Sequence, residues 1–203
     1  MARAVDPRST LWTIGHSTHS VEDFLGLLAV WKIETLVDVR RFPGSRRHPQ
    51  FNDSVLARSL AAAGIIYQPL PQLGGRRPSR PDSINLGWRN AGFRGYADYM
   101  QTEEFQRGIE ELIALVRNSP SFSPARPERA ETCSFPRTVI MCAEAVPWRC
   151  HRWLLSDAML VQGRTIVHIL STKKTQIHTV TAFAKLEEGR LSYPAEIQHP
   201  TLF

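Results

Sequence analysis

The sequence has no apolar run near the roughly 20 residues that a bilayer-spanning helix needs. Its first segment, MARAVDPRST, also lacks the apolar core of a signal peptide. Cysteine is scarce: the chain has three, Cys133, Cys142 and Cys150. This number is small, and it is odd, so a scaffold of disulfide bonds is not expected. We therefore expect a cytoplasmic protein with reduced thiols and no membrane contact.

Lysine is scarce as well, since arginine supplies 21 of the 25 basic residues. The planar guanidinium group binds phosphate and carboxylate in a fork that lysine lacks, although codon usage also explains an excess of arginine. A net charge of +6 favours anionic partners, either a small molecule or nucleic acid. The sequence identifies no cofactor and no oligomeric state.

A chain of 203 residues with 42% hydrophobic residues is long enough for one sizeable core, and we expect a single domain over 1–203. Short apolar segments alternate with segments of helical spacing, which predicts an α/β fold: a single open, mostly parallel (Rossmann-like) sheet with helices on both faces. The predicted strands are 11–14, 35–39, 65–67, 139–142 and 165–170, and the predicted helices are 21–31, 52–63, 95–117 and 149–162.

Three segments fall outside this alternation. Residues 69–93 lose regular periodicity and predict a long loop, and residues 119–137 read as a proline-rich insertion. Residues 171–203 form a C-terminal extension, for which one further helix is predicted near 181–188.

Polar residues follow the predicted strands where each strand ends. The carboxyl ends of parallel strands form one edge of a sheet, and ligands of open α/β sheets bind there. We expect the residues after strands one and two, together with an arginine that begins a later helix, to bind the ligand: His16, Ser17, Asp38, Arg40, Ser45, Arg46 and Arg152.

The segment after the fourth strand is the densest in reactive groups, and three interpretations are open. In the first, Glu144 and His151 transfer protons to and from a substrate held by arginines. In the second, Cys142 and Cys150 act as nucleophile and resolving thiol. In the third, both cysteines and His151 bind zinc, but the spacing matches no common pattern and an adjacent Cys-His pair is awkward, so no metal is predicted.

Cys150 has a position that favours the thiolate. We expect it in the first turn of a helix, where the helix dipole and the neighbouring Arg149 and Arg152 lower the pKa of a thiol. A purely structural interpretation also stands, in which both cysteines are small buried residues and His151 makes local contacts.

The sequence resembles the family of uncharacterised proteins known as domain of unknown function 488. The resemblance rests on five short strings, namely TIGHS at 13–17, DVR at 38–40 with Pro43 and SR at 45–46, LGG at 73–75, CAE at 142–144, and Pro147 with CHR at 150–152. It implies a compact Rossmann-like α/β domain and no particular reaction.

These observations predict an enzyme that acts on a phosphate-bearing ligand, a nucleotide or nucleic-acid component, by acid/base chemistry. Catalysis is expected from Glu144, His151, Cys150 and Cys142. One alternative is a nucleic-acid-binding accessory protein with a structural Cys/His cluster. Another is a thiol-redox protein that uses Cys142 and Cys150.

Overall fold

The computed structural model describes residues 10–118 and 137–195. Six strands form one sheet in the order β3-β2-β4-β1-β5-β6, in which β1 to β5 are parallel and β6 is antiparallel to β5. The strands are β1 Thr10–Gly15, β2 Thr35–Asp38, β3 Ile66–Pro69, β4 Thr138–Cys142, β5 Thr165–Ile169 and β6 Thr175–Ile177. The predicted open, mostly parallel α/β sheet is confirmed.

Helices cover both faces of the sheet because side chains alternate along each strand. In β4, Val139 and Met141 pack with α1 (Val21–Val30) and α2 (Asp53–Ala62). Ile140 and Cys142 point to the other face, where they pack with α3, α4 and α5. These helices are α3 Ala91–Tyr99, α4 Glu103–Asn118 and α5 Arg152–Val161. No helix within the described ranges is long and apolar enough to cross a lipid bilayer.

The single helix predicted over 95–117 is wrong, because α3 and α4 are separate. Thr102 ends the continuity: its Oγ1 accepts a hydrogen bond from the backbone N–H of Phe105 at 3.3 Å, as an N-cap does. Two acidic residues then follow in the first turn of α4. The helical spacing continues across the break, which explains the error.

The helix predicted near 181–188 is also wrong. This segment enters a hairpin of β7 (Lys185–Glu187) and β8 (Arg190–Ser192), joined by Glu188 and Gly189, both with positive φ. Such φ values are those of a tight hairpin turn. The edge strand β6 was not predicted.

The remaining boundaries differ in smaller ways. The predicted loop 69–93 contains a 3₁₀ turn at Pro71–Leu73, and α3 already begins at Ala91. Another 3₁₀ turn, Pro147–Arg149, precedes α5, so α5 begins at Arg152 and not at Arg149. Of the predicted insertion, residues 119–136 lie outside the described residues.

Candidate functional site

A cavity of about 330 Å³ opens at the carboxyl edge of the sheet. Strand register brings Asp38 beside Met141 and Gly15 beside Cys142, so β1, β2 and β4 end together. From β2 the chain continues to one face of the sheet and from β4 to the other, which leaves a crevice between them. Four segments line the cavity: residues 40–42, residues 75–76, the start of α3 with residues 90, 92 and 93, and residues 142–144 with 149–151.

The connections after β1 and β4 are joined by their backbones. The N–H groups of His16 and Ser17 donate to the carbonyls of Cys142 and Ala143 at 3.0 and 2.9 Å. This approach requires glycine at position 15, because a Cβ there would overlap the carbonyl oxygen of Glu144. The sequence therefore fixes the position of the loop that carries Glu144.

Arg40 is held in place by a buried ion pair with Asp38. Its Nε donates to Asp38 Oδ1 at 2.8 Å and its Nη2 donates to Oδ2 at 2.6 Å. The Tyr67 hydroxyl donates to the same Oδ2 at 2.9 Å. A guanidinium fixed on two nitrogens loses little further freedom when an anion binds to it.

His16 lies behind Arg40 and is neutral. Burial and the positive charge of Arg40 lower the pKa of His16 to about 4, although its contact with Ser17 opposes them. The ring nitrogens fit this state: Nδ1 donates to the carbonyl of Ser17 at 2.9 Å, and Nε2 accepts from Arg40 Nη1 at 3.3 Å. Phe51 stacks on the imidazole ring, with 4.1 Å between the ring centroids of Phe51 and His16. His16 is not among the residues that line the cavity, and its role is to hold Arg40 in place.

The two thiols and the imidazole meet at the cavity wall. His151 Nδ1 lies 3.6 Å from Cys150 Sγ and 3.8 Å from Cys142 Sγ. All three ligand atoms are within 4.8 Å of one another. Both thiols are free, so the arrangement leaves them available for thiol or metal chemistry.

The two thiols have opposite acidities. Burial raises the pKa of Cys150, but the hydrogen bond with Cys142 and the charge and N–H of Arg152 outweigh it and lower the pKa to about 7. The hydrogen bond to Cys150, together with burial, raises the pKa of Cys142 to about 12. The pKa of Cys150 is lowered, as predicted, but only partly for the predicted reason: Cys150 lies before α5 and not in its first turn, and Cys142 and Arg152 cause the shift.

Close packing fixes the orientation of His151. A Cβ at Gly75 would lie only 2.7 Å from His151 Nδ1, so glycine at this position lets the loop approach the ring. The ring of Tyr96 lies on another side at 5.0 Å between centroids. Among the described residues, His151 Nε2 is buried without a hydrogen-bond partner.

Arg152 holds the loop between β4 and α5 through hydrogen bonds to its backbone. Its side chain is buried, and its Nη2 donates to the carbonyl of Glu144 at 2.7 Å and to that of Ala145 at 3.4 Å. It was predicted to bind ligand but is not among the cavity-lining residues. Glu144 lines the cavity with an exposed side chain.

Four other predicted ligand-binding residues also lie outside the cavity lining. Asp38 is the buried ion-pair partner of Arg40. Ser17 contributes a backbone hydrogen bond, from its N–H to the carbonyl of Ala143, between the loops that follow β1 and β4. Ser45 closes its own loop, since its N–H donates to Asn52 Oδ1 and its Oγ accepts from the N–H of His48. Arg46 is exposed.

Several cavity residues were not predicted as part of the site. Three arginines join Arg40 there, namely Arg41, Arg76 and Arg149, and the aromatic rings of Phe42 and Phe93 lie beside them. Asn90 caps α3 by accepting from two N–H groups, and the capped N-terminus of this helix lies at the cavity. The arginines of these loops are visible in the sequence, but the sequence does not show whether a loop arginine points into the cavity or into solvent.

The fold and this site define an open α/β protein with an arginine-lined cavity beside a Cys-Cys-His cluster. Residues 20–123, just over half of the chain, match the family described as Domain of unknown function DUF488. The chain belongs to this family, which confirms the resemblance. Comparison with curated proteins gives no match, and neither does comparison with solved structures.

Proposed function

We propose that this protein is an enzyme that acts on a phosphate-bearing ligand, a nucleotide or a nucleic-acid component, in the cavity at the end of β2 and β4. The observation that carries the proposal is the lining, in which four arginines surround one carboxylate and the Cys-Cys-His cluster. The proposal treats 1–203 as one domain. The scarcity of cysteine favours a reducing compartment such as the cytoplasm.

Two features support an anionic ligand. Arg40 presents a guanidinium already fixed by Asp38, and Arg41, Arg76 and Arg149 add positive charge around the opening. The cavity also receives the N-terminus of α3, whose helix dipole favours negative charge. A volume of about 330 Å³ lies at the small end of ligand pockets, so a compact phosphate compound fits better than a long one.

Proton transfer is assigned to Glu144. Its carboxylate is at the cavity surface, and the Arg152 contact to its carbonyl holds the backbone in place. His151 was expected to share this role, but Nδ1 faces the two thiols and Nε2 is buried. In this proposal His151 therefore acts together with Cys142 and Cys150.

The first test compares two arginine variants. We expect inorganic phosphate or a nucleoside monophosphate to raise the melting temperature of the wild type, because a ligand bound to the native state stabilises it. Arg149→Ala removes one cavity charge and should weaken binding about tenfold. Arg58→Ala, an exposed arginine on α2, should leave binding unchanged. Equal affinities for both variants, or no stabilisation by any compound tested, would contradict the proposal.

The second test separates catalysis from binding. The compound that binds is incubated with the protein, and its products are followed by mass spectrometry and phosphorus NMR. Glu144→Gln should bind normally and react about 100-fold more slowly, a typical loss for a missing acid/base group. Glu22→Gln, exposed on α1, is the matched control. A wild type that binds the ligand without converting it would leave a binding protein and end the enzyme hypothesis.

Two alternatives are separated by the same samples. A nucleic-acid-binding protein should bind short single-stranded RNA far more tightly than a monophosphate, with affinity that falls steeply as salt rises. The proximity of the two thiols favours a redox protein as the second candidate. A reversible disulfide between Cys142 and Cys150, mapped by mass spectrometry after mild oxidation, would support that candidate.

A further inference from the structure

We propose that Cys142, Cys150 and His151 form a zinc site with three protein ligands and a fourth position open to the cavity. The site itself does not depend on the proposed function. The identity of the fourth ligand, water or the bound substrate, does rest on it.

The distances fit one tetrahedral ion. Zinc bonds of ~2.3 Å to sulfur and ~2.0 Å to nitrogen, at tetrahedral angles, place a nitrogen and a sulfur ligand ~3.6 Å apart. The observed separations from His151 Nδ1 are 3.6 Å to Cys150 Sγ and 3.8 Å to Cys142 Sγ. The two sulfur-to-nitrogen separations are thus those of a zinc site, and all three ligand atoms lie within 4.8 Å of one another.

The structure also removes the objection that the adjacent Cys-His pair raised. Cys150 has extended backbone angles and His151 is already helical, so the two side chains leave the chain at different angles. The imidazole turns its near nitrogen, Nδ1, toward the sulfur atoms. Gly75 leaves room for this orientation, because a side chain there would meet Nδ1.

Rigid elements hold the three ligands. Cys142 is the last residue of β4, and Cys150 follows a 3₁₀ turn begun by Pro147. Arg152 ties the intervening loop to the start of α5 through two carbonyls. A site whose ligands are positioned before the ion arrives loses little order on binding.

The position of the site suggests a catalytic rather than a structural ion. Structural zinc has four protein ligands, whereas catalytic zinc has three and keeps one position for water or substrate. Within the described residues, the cluster contains three ligands, and all three line the cavity. Two thiolates and one imidazole select zinc over hard cations such as Mg²⁺.

The test uses the untagged full chain, made metal-free by a chelator under reducing conditions and then titrated with Zn²⁺ alone or Co²⁺ alone. We expect one ion per chain. With Co²⁺ we expect thiolate-to-metal charge-transfer bands in the near ultraviolet and the strong visible bands of a tetrahedral ion. Cys142→Ser and Cys150→Ser should each bind Zn²⁺ at least roughly 100-fold more weakly. Cys133→Ser is the matched control and should bind as the wild type does.

The outcomes are distinct. A Co²⁺ spectrum of the wild type without thiolate bands overturns the proposal even if a cysteine variant fails to fold. Equal zinc affinity in Cys142→Ser and Cys133→Ser overturns it as well. The zinc titration contains no phosphate compound, so the two proposals can fail separately. Zinc binding here, combined with no thermal stabilisation by any phosphate compound in the first test, would refute the proposed function and keep the metal site. Stabilisation by a phosphate compound without zinc binding would refute the metal site and keep the proposed function.

Discussion

At the scale of single residues, Gly15 offers a sharp test of how the site is built. In Gly15→Ala the new methyl group meets the Glu144 carbonyl, so the loop must move. Overpacking of this kind costs about 2 kcal/mol of unfolding free energy. In Gly26→Ala, inside α1, the methyl group meets nothing within 4 Å, and alanine should add about 0.5–1 kcal/mol. Urea unfolding of both variants measures the difference, and similar values for the two would contradict this account.

The sequence predicted part of the site at this scale. Arg40, Cys142, Glu144, Cys150 and His151 all line the cavity. Each lies at the end of a parallel strand or in the connection after it, and these ends share one edge of the sheet. Hydrophobic periodicity predicts where helices and strands lie, but it does not predict the direction in which a side chain at the start of a helix points. For this reason the sequence predicts ligand binding for Arg152, whose guanidinium instead donates to the carbonyl of Glu144 in the loop before α5.

At the scale of secondary-structure elements, the parallel strands were easier to predict than the connections. The sequence predicts all five parallel strands with small errors at their ends, because the four inner strands are largely buried and read as short apolar runs, and the edge strand β3 begins with an apolar run as well. The break between α3 and α4 was missed because the apolar spacing continues through it, although Thr102-Glu103-Glu104 is a helix-start signal. The β7–β8 hairpin was missed because its strands have only three residues each and are mostly exposed.

A buried network of hydrogen bonds ties the α5 helix to strand β5 and to the chain after β6. Asp157 of α5 accepts from His178 Nε2 at 2.8 Å and from the hydroxyls of Thr181 and Tyr193 at 2.6 and 3.0 Å. His178 Nδ1 in turn lies 3.1 Å from His168 Nε2 in β5. Because α5 begins directly after the Cys-Cys-His cluster, this network contributes to the rigidity of the site.

At the scale of the whole molecule, the same network makes stability depend on pH. Burial, together with the electrostatic effects of His178 and Arg152, lowers the pKa of His168 to about 3. The other groups that face it are the Thr13 hydroxyl at 2.7 Å and the stacked ring of Trp153. In the unfolded chain a histidine titrates near ~6.5. The folded pKa is the lower one, so the stability that neutral His168 contributes is complete above about pH 6.5 and is lost as pH falls toward 3.

This linkage predicts the size of the effect. Between pH 7.5 and pH 5 the unfolded chain gains most of one proton at this position and the folded chain gains almost none, which lowers the free energy of unfolding by about 2 kcal/mol. His168→Gln has no titrating group there, so its stability should fall by about 2 kcal/mol less than that of the wild type over the same range. Urea unfolding of both proteins at the two pH values measures this difference. Parallel losses in wild type and variant would mean that His168 takes up its proton equally in both states, because only a pKa that differs between folded and unfolded chains links protonation to folding.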